Sequence, residues 1–234
     1  MKKNNPKLSI IIPTLNEEEG IAKVICSIPE EIRKISEVIV VDFSDDFTPI
    51  IAKRLGAEVL RGDKKGKGRQ MRQAVKKSKG EILVFLDGDG TDPADFIPKL
   101  LEKLEKSNIV LGCRNSGKLD IKKPKIYEKL DFFGRKLSGK FYAYMFGLKV
   151  FDPLAGFRAI RRKDWDALNL KSDGFEIETE MNIKAMKNHF KIEQVLLPNL
   201  RRSGGVTASK FLLSPKSIIK VIRIVLEYKL EKVK

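Results

Sequence analysis

Residues 81–95, EILVFLDGDGTDPAD, decide the fold class, because a strand leads directly into an acidic loop. Residues 82–86 are apolar and rich in β-favouring side chains, which predicts a short buried strand. Pro93 then predicts the first turn of a helix, with Asp92 as its N-cap. In open α/β sheets, ligands bind at the carboxyl ends of the strands. The stretch therefore predicts a ligand site where this strand ends.

Two aspartates in this loop, Asp87 and Asp89, are separated by Gly88, which allows both carboxylates to reach one object. Hard oxygen ligands on a short loop suit Mg²⁺ or Mn²⁺, with the remaining positions filled by water and phosphate. The simpler alternative is an acidic turn that only precedes a helix. It accounts for Asp92 but leaves the other two aspartates without a role, so we predict a metal site.

Strand-like and helix-like segments alternate along the first half of the chain. We predict strands at residues 8–12, 37–41, 57–60, 82–86 and 108–112, and helices at 17–28, from 48, at 69–78 and at 93–106. This order predicts an α/β fold with a doubly wound parallel sheet flanked by helices. Asn16 and Glu17 follow the first strand, and Asp42 follows the second. These residues predict a nucleotide site at the carboxyl edge of the sheet.

A helix start at Gly66-Lys67-Gly68 leaves two alternatives open. Its backbone N–H groups could bind phosphate, or the segment could be a simple basic turn. The chain has neither a P-loop nor the glycine fingerprint of dinucleotide-binding sites.

The composition is that of a globular protein with a large excess of positive charge. The 234 residues carry a formal charge of +16, which implies an anionic partner: nucleic acid, an anionic membrane surface or a phosphorylated substrate. Cys26 and Cys113 are isolated, so neither a disulfide framework nor a zinc site is indicated. The single histidine, His189, does not support a Ser/His or Cys/His mechanism. No signal peptide or run of roughly 20 apolar residues is present, so we expect a cytoplasmic protein.

The second half contains two amphipathic segments. Over residues 130–148, apolar and aromatic side chains recur at helical spacing among basic residues. Core packing is one interpretation, and a helix on a membrane surface is the one that we favour. The tail, residues 214–234, predicts a basic amphipathic helix that contacts a membrane, the core or a second copy.

Six motifs occur in a fixed order: residues 11–17 (IIPTLNE), 40–42 (VVD), 66–68 (GKG), 85–89 (FLDGD), 111–114 (LGCR) and 152–158 (DPLAGFR). Over residues 7–213, the sequence resembles the inverting family-two glycosyltransferases with a GT-A fold, closest to the dolichol-phosphate mannose synthase branch. The resemblance implies one GT-A domain over residues 1–213. Its nucleotide-sugar half would cover residues 7–114 and its acceptor half residues 115–213.

The resemblance also implies roles on the donor side. Asp89 would hold Mg²⁺ or Mn²⁺, and Asp87 would contact the metal or the nucleotide. Thr91 stands where the branch often has a glutamine metal ligand, and Phe43 stands where the family usually has a second aspartate. The remaining implied substrate-binding residues are Pro13, Thr14, Asn16, Glu17, Asp42 and Lys67.

On the acceptor side, Arg114 matches an arginine that faces the acceptor phosphate. Residues 200–205, LRRSGG, resemble a basic loop in which Arg201 and Arg202 would clamp phosphates. In relatives that glycosylate hydroxyls, a carboxylate near Glu176 or Glu178 is the general base. A phosphate acceptor needs no such base.

The resemblance implies a metal-dependent glycosyltransferase that moves a sugar from a nucleotide-diphosphate sugar to a polyprenyl phosphate, peripherally at the cytoplasmic membrane face. One alternative is a relative that acts on a hydroxyl acceptor. A nucleic-acid-binding protein is a remote alternative, because the basic residues are scattered and no nucleic-acid motif is present.

Overall fold

A mixed sheet of seven strands lies at the centre of the protein. The structure is a computed structural model that describes residues 6–114, 122, 125–203 and 215–232. The strands are β1 (Leu8–Thr14), β2 (Ser36–Asp42), β3 (Glu58–Arg61), β4 (Ile82–Phe85), β5 (Ile109–Arg114), β6 (Arg158–Arg161) and β7 (Ile192–Leu197). Their order in the sheet is β3-β2-β1-β4-β6-β5-β7. Strand β6 runs antiparallel to β4 and β5, whereas the other pairs are parallel. The prediction of a mostly parallel sheet is confirmed.

Helices cover both faces of this sheet. They are α1 (Glu18–Cys26), α2 (Glu30–Ile35), α3 (Thr48–Arg54), α4 (Lys67–Lys77), α5 (Ile97–Leu104), α6 (Ile126–Phe146), α7 (Arg162–Leu168), α8 (Ile177–Lys187) and α9 (Pro215–Lys232). None of the helices in the described part of the chain combines the length and apolar composition needed to cross a bilayer.

Two apolar cores follow from the alternation of side chains along the strands. Ile10 and Ile12 of β1 face one core, which includes apolar residues of α1, α3 and α5. Ile11, between them, faces the other core, together with residues of α4, α7 and α8. Because both faces are covered, the central strands are apolar throughout, as expected for parallel strands buried on both sides.

The strand order has a switch point between β1 and β4. The chain proceeds from β1 towards β2 and β3 on one side, whereas β4 lies on the other side of β1. The loops that leave β1 and β4 therefore diverge and open a crevice at the carboxyl edge. This crevice receives residues 15–17 and 87–89.

The start of the helix after the acidic loop differs from the prediction. A single 3₁₀ turn covers Ala94–Phe96, and α5 begins only at Ile97. Asp92 is not a helix N-cap, because its Oδ2 accepts a hydrogen bond from the backbone N–H of Asp87 at 2.8 Å. The carboxylate that we expected to begin the helix instead turns back and closes the acidic loop.

Helix α6 presents two different faces. Asp131, Arg135 and Ser138 are on the side that lines the crevice. The neighbouring side is apolar and exposed to solvent; its members are Leu130, Phe133, Leu137, Phe141 and Tyr144. The predicted apolar stripe is thus present; these five side chains are exposed, whereas Met145 and Leu148 at its end pack against buried clusters.

Helix α9 packs through one face only. Val225 and Tyr228 are buried in a small cluster with Ile183 of α8, and the Tyr228 ring lies 5.3 Å from that of Phe146 at the end of α6. The opposite face leaves Ile219, Ile222 and Leu226 exposed. The inner face therefore contacts the core, and the outer apolar face is exposed as far as the described residues show. The predicted boundary at residue 213 lies outside the described residues.

Candidate active site

A cavity of about 220 Å³ lies at the carboxyl edge of the sheet, over the switch point. It contains both acidic and basic side chains. Eight of the predicted site residues line it: Pro13, Thr14, Glu17, Lys67, Asp87, Asp89, Arg114 and Arg202. The structure thus brings together residues from most of the predicted motifs.

The acidic loop is held in a defined shape by its own hydrogen bonds. Asp89 Oδ1 accepts hydrogen bonds from Thr91 N–H at 2.9 Å and from Thr91 Oγ1 at 2.6 Å. The carbonyl of Asp89 also accepts a hydrogen bond from Ser203 N–H at 2.8 Å. Through its two hydrogen bonds to Oδ1, Thr91, predicted as a third metal ligand, orients Asp89 in this structure. In the same loop, burial, with the nearby charges of Asp87 and Asp89, raises the pKa of Asp92 to about 8.

The position of Asp87 depends on a glycine from another motif. A Cβ atom at Gly156 would lie 2.5 Å from Asp87 Oδ2, so any larger residue would displace the carboxylate. This close approach explains a glycine in the turn before β6.

Lys67 connects the acidic loop to α8. Its Nζ lies 2.5 Å from Asp87 Oδ1 and 2.7 Å from Glu178 Oε1. Burial opposes the charge of Lys67, but the two carboxylates outweigh it and raise the pKa of Lys67 above its ordinary value. Burial likewise opposes ionisation of Asp87, yet Lys67 lowers the pKa of Asp87. Lys67 is therefore a fixed positive charge that keeps Asp87 ionised.

Asp89 also has a cationic partner. Arg202 Nη2 lies 2.6 Å from Asp89 Oδ2, and Arg202 Nη1 lies 4.0 Å from Glu17 Oε1. The oxygens of Asp87 and Asp89 are hard ligands of the kind that Mg²⁺ and Mn²⁺ prefer, so the donor set fits such a cation. Within the described ranges, no group of three or more His, Cys, Asp or Glu side chains forms a metal cage. A cation here would need further oxygens from water or substrate.

A basic cluster borders the other side of the cavity. Arg114 donates two hydrogen bonds to Asp152 Oδ2, from Nε and Nη2, each at 2.9 Å. Arg135 Nε lies 3.9 Å from the same oxygen and has no hydrogen-bond partner among the described residues. Burial, with repulsion from Arg114, lowers the pKa of Arg135 to about 10. Arg114 and Arg135 thus share Asp152, and Arg135 also pairs with Asp131 through Nη1, so the two guanidinium groups meet two carboxylates.

Four predicted site residues are not part of the cavity lining: Asn16, Asp42, Thr91 and Arg201. Asn16 accepts a hydrogen bond from Asp45 N–H at 3.0 Å, which ties two strand-end loops together. Arg201 is half-exposed and points to α6, with Nε at 3.1 Å from Glu128 Oε1. Arg202 therefore faces Asp89 and Arg201 does not. Gly204 and Gly205 of this loop lie outside the described residues.

Sequence reasoning missed Arg135 and Ser138 as cavity residues. Arg135 and Ser138 share a face with Asp131 at spacings of four and three, a polar stripe beside the apolar one. This spacing is visible in the sequence and could have identified Arg135 and Ser138 as residues of one polar helix face. The resemblance left open whether Glu176 or Glu178 faces the site, and the structure places Glu178 in the cavity lining.

The three glutamates near α8 have separate partners. Glu178 pairs with Lys67, and Glu180 accepts hydrogen bonds from the N–H groups of Lys171 and Ser172. Glu176 Oε1 lies 3.3 Å from Lys220 Nζ of α9. Of the three, Glu178 lines the cavity.

The mixed sheet with a strand-end acidic loop and a facing basic cluster defines the GT-A class of fold. Residues 9–168 match Glycosyl transferase family 2. The chain therefore belongs to glycosyl transferase family 2.

Two similar proteins illustrate the range of the family. The chain is 32% identical over 212 residues to the low-salt glycan biosynthesis hexosyltransferase Agl6 of Haloferax volcanii. The matched region covers 88% of this chain and 51% of that protein. It is 28% identical over 222 residues to a dolichyl-phosphate hexose transferase of the same organism, over 92% of this chain and 93% of the relative. The chain thus spans about half the length of the first relative and most of the second.

A solved structure shares the fold. Glucosyl-3-phosphoglycerate synthase from Mycobacterium tuberculosis, in complex with Mn²⁺, UDP and glucosyl-3-phosphoglycerate, has a TM-score of 0.72 at 25% identity. The match covers 95% of this chain and 80% of that one.

Proposed function

We propose that this chain is a metal-dependent, inverting glycosyltransferase that moves a sugar from a nucleotide-diphosphate sugar to a polyprenyl phosphate. The observation that carries the proposal is a single cavity with two opposed charged walls. Asp87 and Asp89 lie on one wall and Arg114 and Arg135 border the other, while Arg202 lies beside Asp89, with Nη2 at 2.6 Å from its Oδ2. An acidic wall suits a cation with a diphosphate, and a basic wall suits an anionic acceptor.

On the donor side, the acidic loop holds the cation and the diphosphate. Asp89 and Asp87 would supply the protein ligands to Mn²⁺ or Mg²⁺, with Thr91 orienting Asp89. When bound, the cation offsets the charge that develops on the departing nucleoside diphosphate. Lys67 keeps Asp87 ionised, so the loop retains its negative charge.

On the acceptor side, the arginines hold the phosphate in line with the anomeric carbon. One phosphate oxygen forms the new bond to that carbon as the bond to the nucleoside diphosphate breaks, which inverts the configuration. A phosphomonoester has a second pKa of about 6 and is mostly dianionic near neutral pH, so no general base is needed. The names of relatives support this acceptor class, because one is a dolichyl-phosphate hexose transferase.

A hydroxyl acceptor is the second candidate, and one observation favours it. Glu178 lines the cavity, and burial raises its pKa above the ordinary value, as is typical of a general base. However, Glu178 is bound to Lys67 and would have to release it to accept a proton. The related synthase named above was crystallised with glucosyl-3-phosphoglycerate.

The reaction is tested directly with purified protein, Mn²⁺ or Mg²⁺, a panel of nucleotide sugars and a polyprenyl phosphate, with products identified by mass spectrometry. A glycolipid formed only in the presence of metal supports the proposal. Nucleoside diphosphate released with a soluble acceptor, and no lipid product, would support the hydroxyl alternative instead.

Arg135→Gln is expected to raise the KM for polyprenyl phosphate at least about tenfold, because a charge-assisted contact to the phosphate is lost. The dissociation constant for nucleoside diphosphate should not change, since Arg135 lies on the acceptor wall. Steady-state kinetics with varied acceptor and calorimetry with the diphosphate measure both quantities.

The matched control is Lys136→Gln, at the adjacent exposed position of α6, which should behave as wild type. Glu178→Gln separates the two acceptor classes. A larger loss of kcat for Glu178→Gln than for Arg135→Gln would contradict a phosphate acceptor.

Peripheral membrane contact is part of the proposal. The exposed apolar faces of α6 and α9 lie among lysines, and the two helices meet where Phe146 contacts Tyr228. A basic, aromatic amphipathic helix lies at a lipid surface with its apolar side inserted. The polar side of α6 borders the cavity, so a lipid-linked phosphate could enter it from this surface.

Ile219→Asp with Ile222→Asp is expected to weaken binding to anionic vesicles at least about tenfold, because two apolar contacts are replaced by negative charges. Both side chains are exposed, so the fold should be retained. Vesicle flotation is the measurement, and Ile50→Asp, an exposed apolar position on α3, is the matched control. Unchanged flotation of the double variant would count against a membrane role for α9.

A further inference from the structure

The carboxylate of Asp42, at the end of β2, already accepts hydrogen bonds from four donor groups of the protein. Its Oδ1 accepts hydrogen bonds from Thr14 Oγ1 at 2.8 Å and from Ser44 Oγ at 2.5 Å. Its Oδ2 accepts from Ser44 N–H at 3.1 Å and from Arg61 Nη1 at 3.4 Å. A carboxylate offers about four lone-pair positions. Asp42 is also only 1% exposed, so it has no capacity left for the N–H groups of a nucleobase.

The next residue, Phe43, faces the cavity instead. Its ring is part of the cavity wall and is partly exposed. The Arg61 guanidinium carbon lies 5.3 Å from the ring centroid, and a Cβ at Gly62 would lie 3.5 Å from Phe43 Cδ2. Neighbouring groups therefore support the ring while it remains accessible from the cavity.

The lining of the same cavity also includes the acidic loop. It extends from Phe43 and Lys65 to Asp87 and Asp89. A nucleoside diphosphate could thus place its base at Phe43 and its phosphates at the acidic loop.

We propose that Phe43 is the stacking platform for the nucleobase of the donor, which rests on the function proposed above. Every base has a π face, so recognition by stacking tolerates a change of base. A site that uses Phe43 in place of hydrogen bonds to Asp42 discriminates weakly among nucleotides. Guanosine and uridine diphosphates bind with dissociation constants within about tenfold of each other.

The test is calorimetry on the full chain in the presence of Mn²⁺, with GDP, UDP and inorganic pyrophosphate as a probe that lacks a base. Phe43→Ala and Phe43→Leu are expected to weaken the binding of both nucleotides at least about fivefold, because neither side chain has a π face. Leucine keeps the apolar volume, so this variant isolates the loss of stacking. Pyrophosphate binding stays at the wild-type value. Phe43→Tyr retains nucleotide binding, and Phe47→Ala, an exposed position outside the cavity lining, is the control.

Two results would overturn this inference and leave the proposed function standing. One is nucleotide binding that Phe43→Leu leaves unchanged. The other is a parallel loss of pyrophosphate binding, which would indicate that the substitution distorts the phosphate site. If wild-type protein binds neither nucleotide, the proposed function fails together with the inference.

Discussion

Asp89→Ala abolishes sugar transfer, with an expected loss of at least about 10²-fold in kcat/KM. The physical reason is the position of Asp89, which faces the cavity, is 3% exposed and is oriented by Thr91. Asp89 would be a protein ligand of the cation that offsets charge on the leaving diphosphate, and Asp89→Ala removes that carboxylate. The measurement is formation of glycosylated product by mass spectrometry, together with release of nucleoside diphosphate.

The matched control is Asp95→Ala, which removes an exposed carboxylate from the same segment and should retain wild-type activity. Asp89→Asn keeps the shape of the side chain and should lose activity like Asp89→Ala, because the charge is the relevant property. Mn²⁺ affinity in the presence of nucleoside diphosphate should fall in both Asp89 variants. Normal transfer by Asp89→Ala would remove Asp89 from the mechanism.

Arg158→Leu is expected to lower the free energy of unfolding by about 3–5 kcal/mol. Arg158 is fully buried and donates hydrogen bonds to Ala155 O at 2.7 Å, Pro153 O at 2.8 Å and Asn182 Oδ1 at 2.8 Å. Leucine would leave these acceptors without the guanidinium donor, and a buried unsatisfied acceptor costs about 1–3 kcal/mol. The turn before β6 would also lose one tie to α8 and keep another, the hydrogen bond from Asn182 Nδ2 to Pro153 O at 2.7 Å.

The measurement is thermal and urea unfolding, and the expected decrease in Tm is roughly 10 °C for a chain of this size. Arg54→Leu is the control, since Arg54 is exposed on α3 and its replacement should change stability by less than about 0.5 kcal/mol. An Arg158→Leu variant that unfolds at the wild-type temperature would show that the buried network contributes little.

The sheet and the edge that carries the site were predictable, because the sequence patterns that indicate them are local. An apolar run such as residues 82–86 specifies a strand, and the residues after it must lie at the carboxyl edge of a parallel sheet. The meeting of Glu17 and Asp89 at one cavity follows from that rule alone. The motif order within residues 11–158 identified the family for the same reason, because each motif is a short continuous segment.

The direction of strand β6 and its place in the sheet had no such signal. It pairs Phe85 with Arg158, and Leu111 with Arg158, so it lies between two strands that are closer to each other in sequence. Strand direction and neighbours depend on pairings between distant segments, which local periodicity does not encode. The turn of Asp92 back to Asp87, which displaces the helix start, is likewise a feature of the folded loop.

By itself, the sequence determined the fold class, the acidic strand end and the helical periodicity of residues 130–148, because each depends on neighbours along the chain. The tertiary structure alone decided which charges meet. It paired Lys67 with both Asp87 and Glu178, and it turned Arg202 rather than Arg201 towards Asp89. It also buried Arg135 beside Arg114. These contacts join segments far apart in sequence, and only the packing of helices on the sheet brings such segments within a few ångströms.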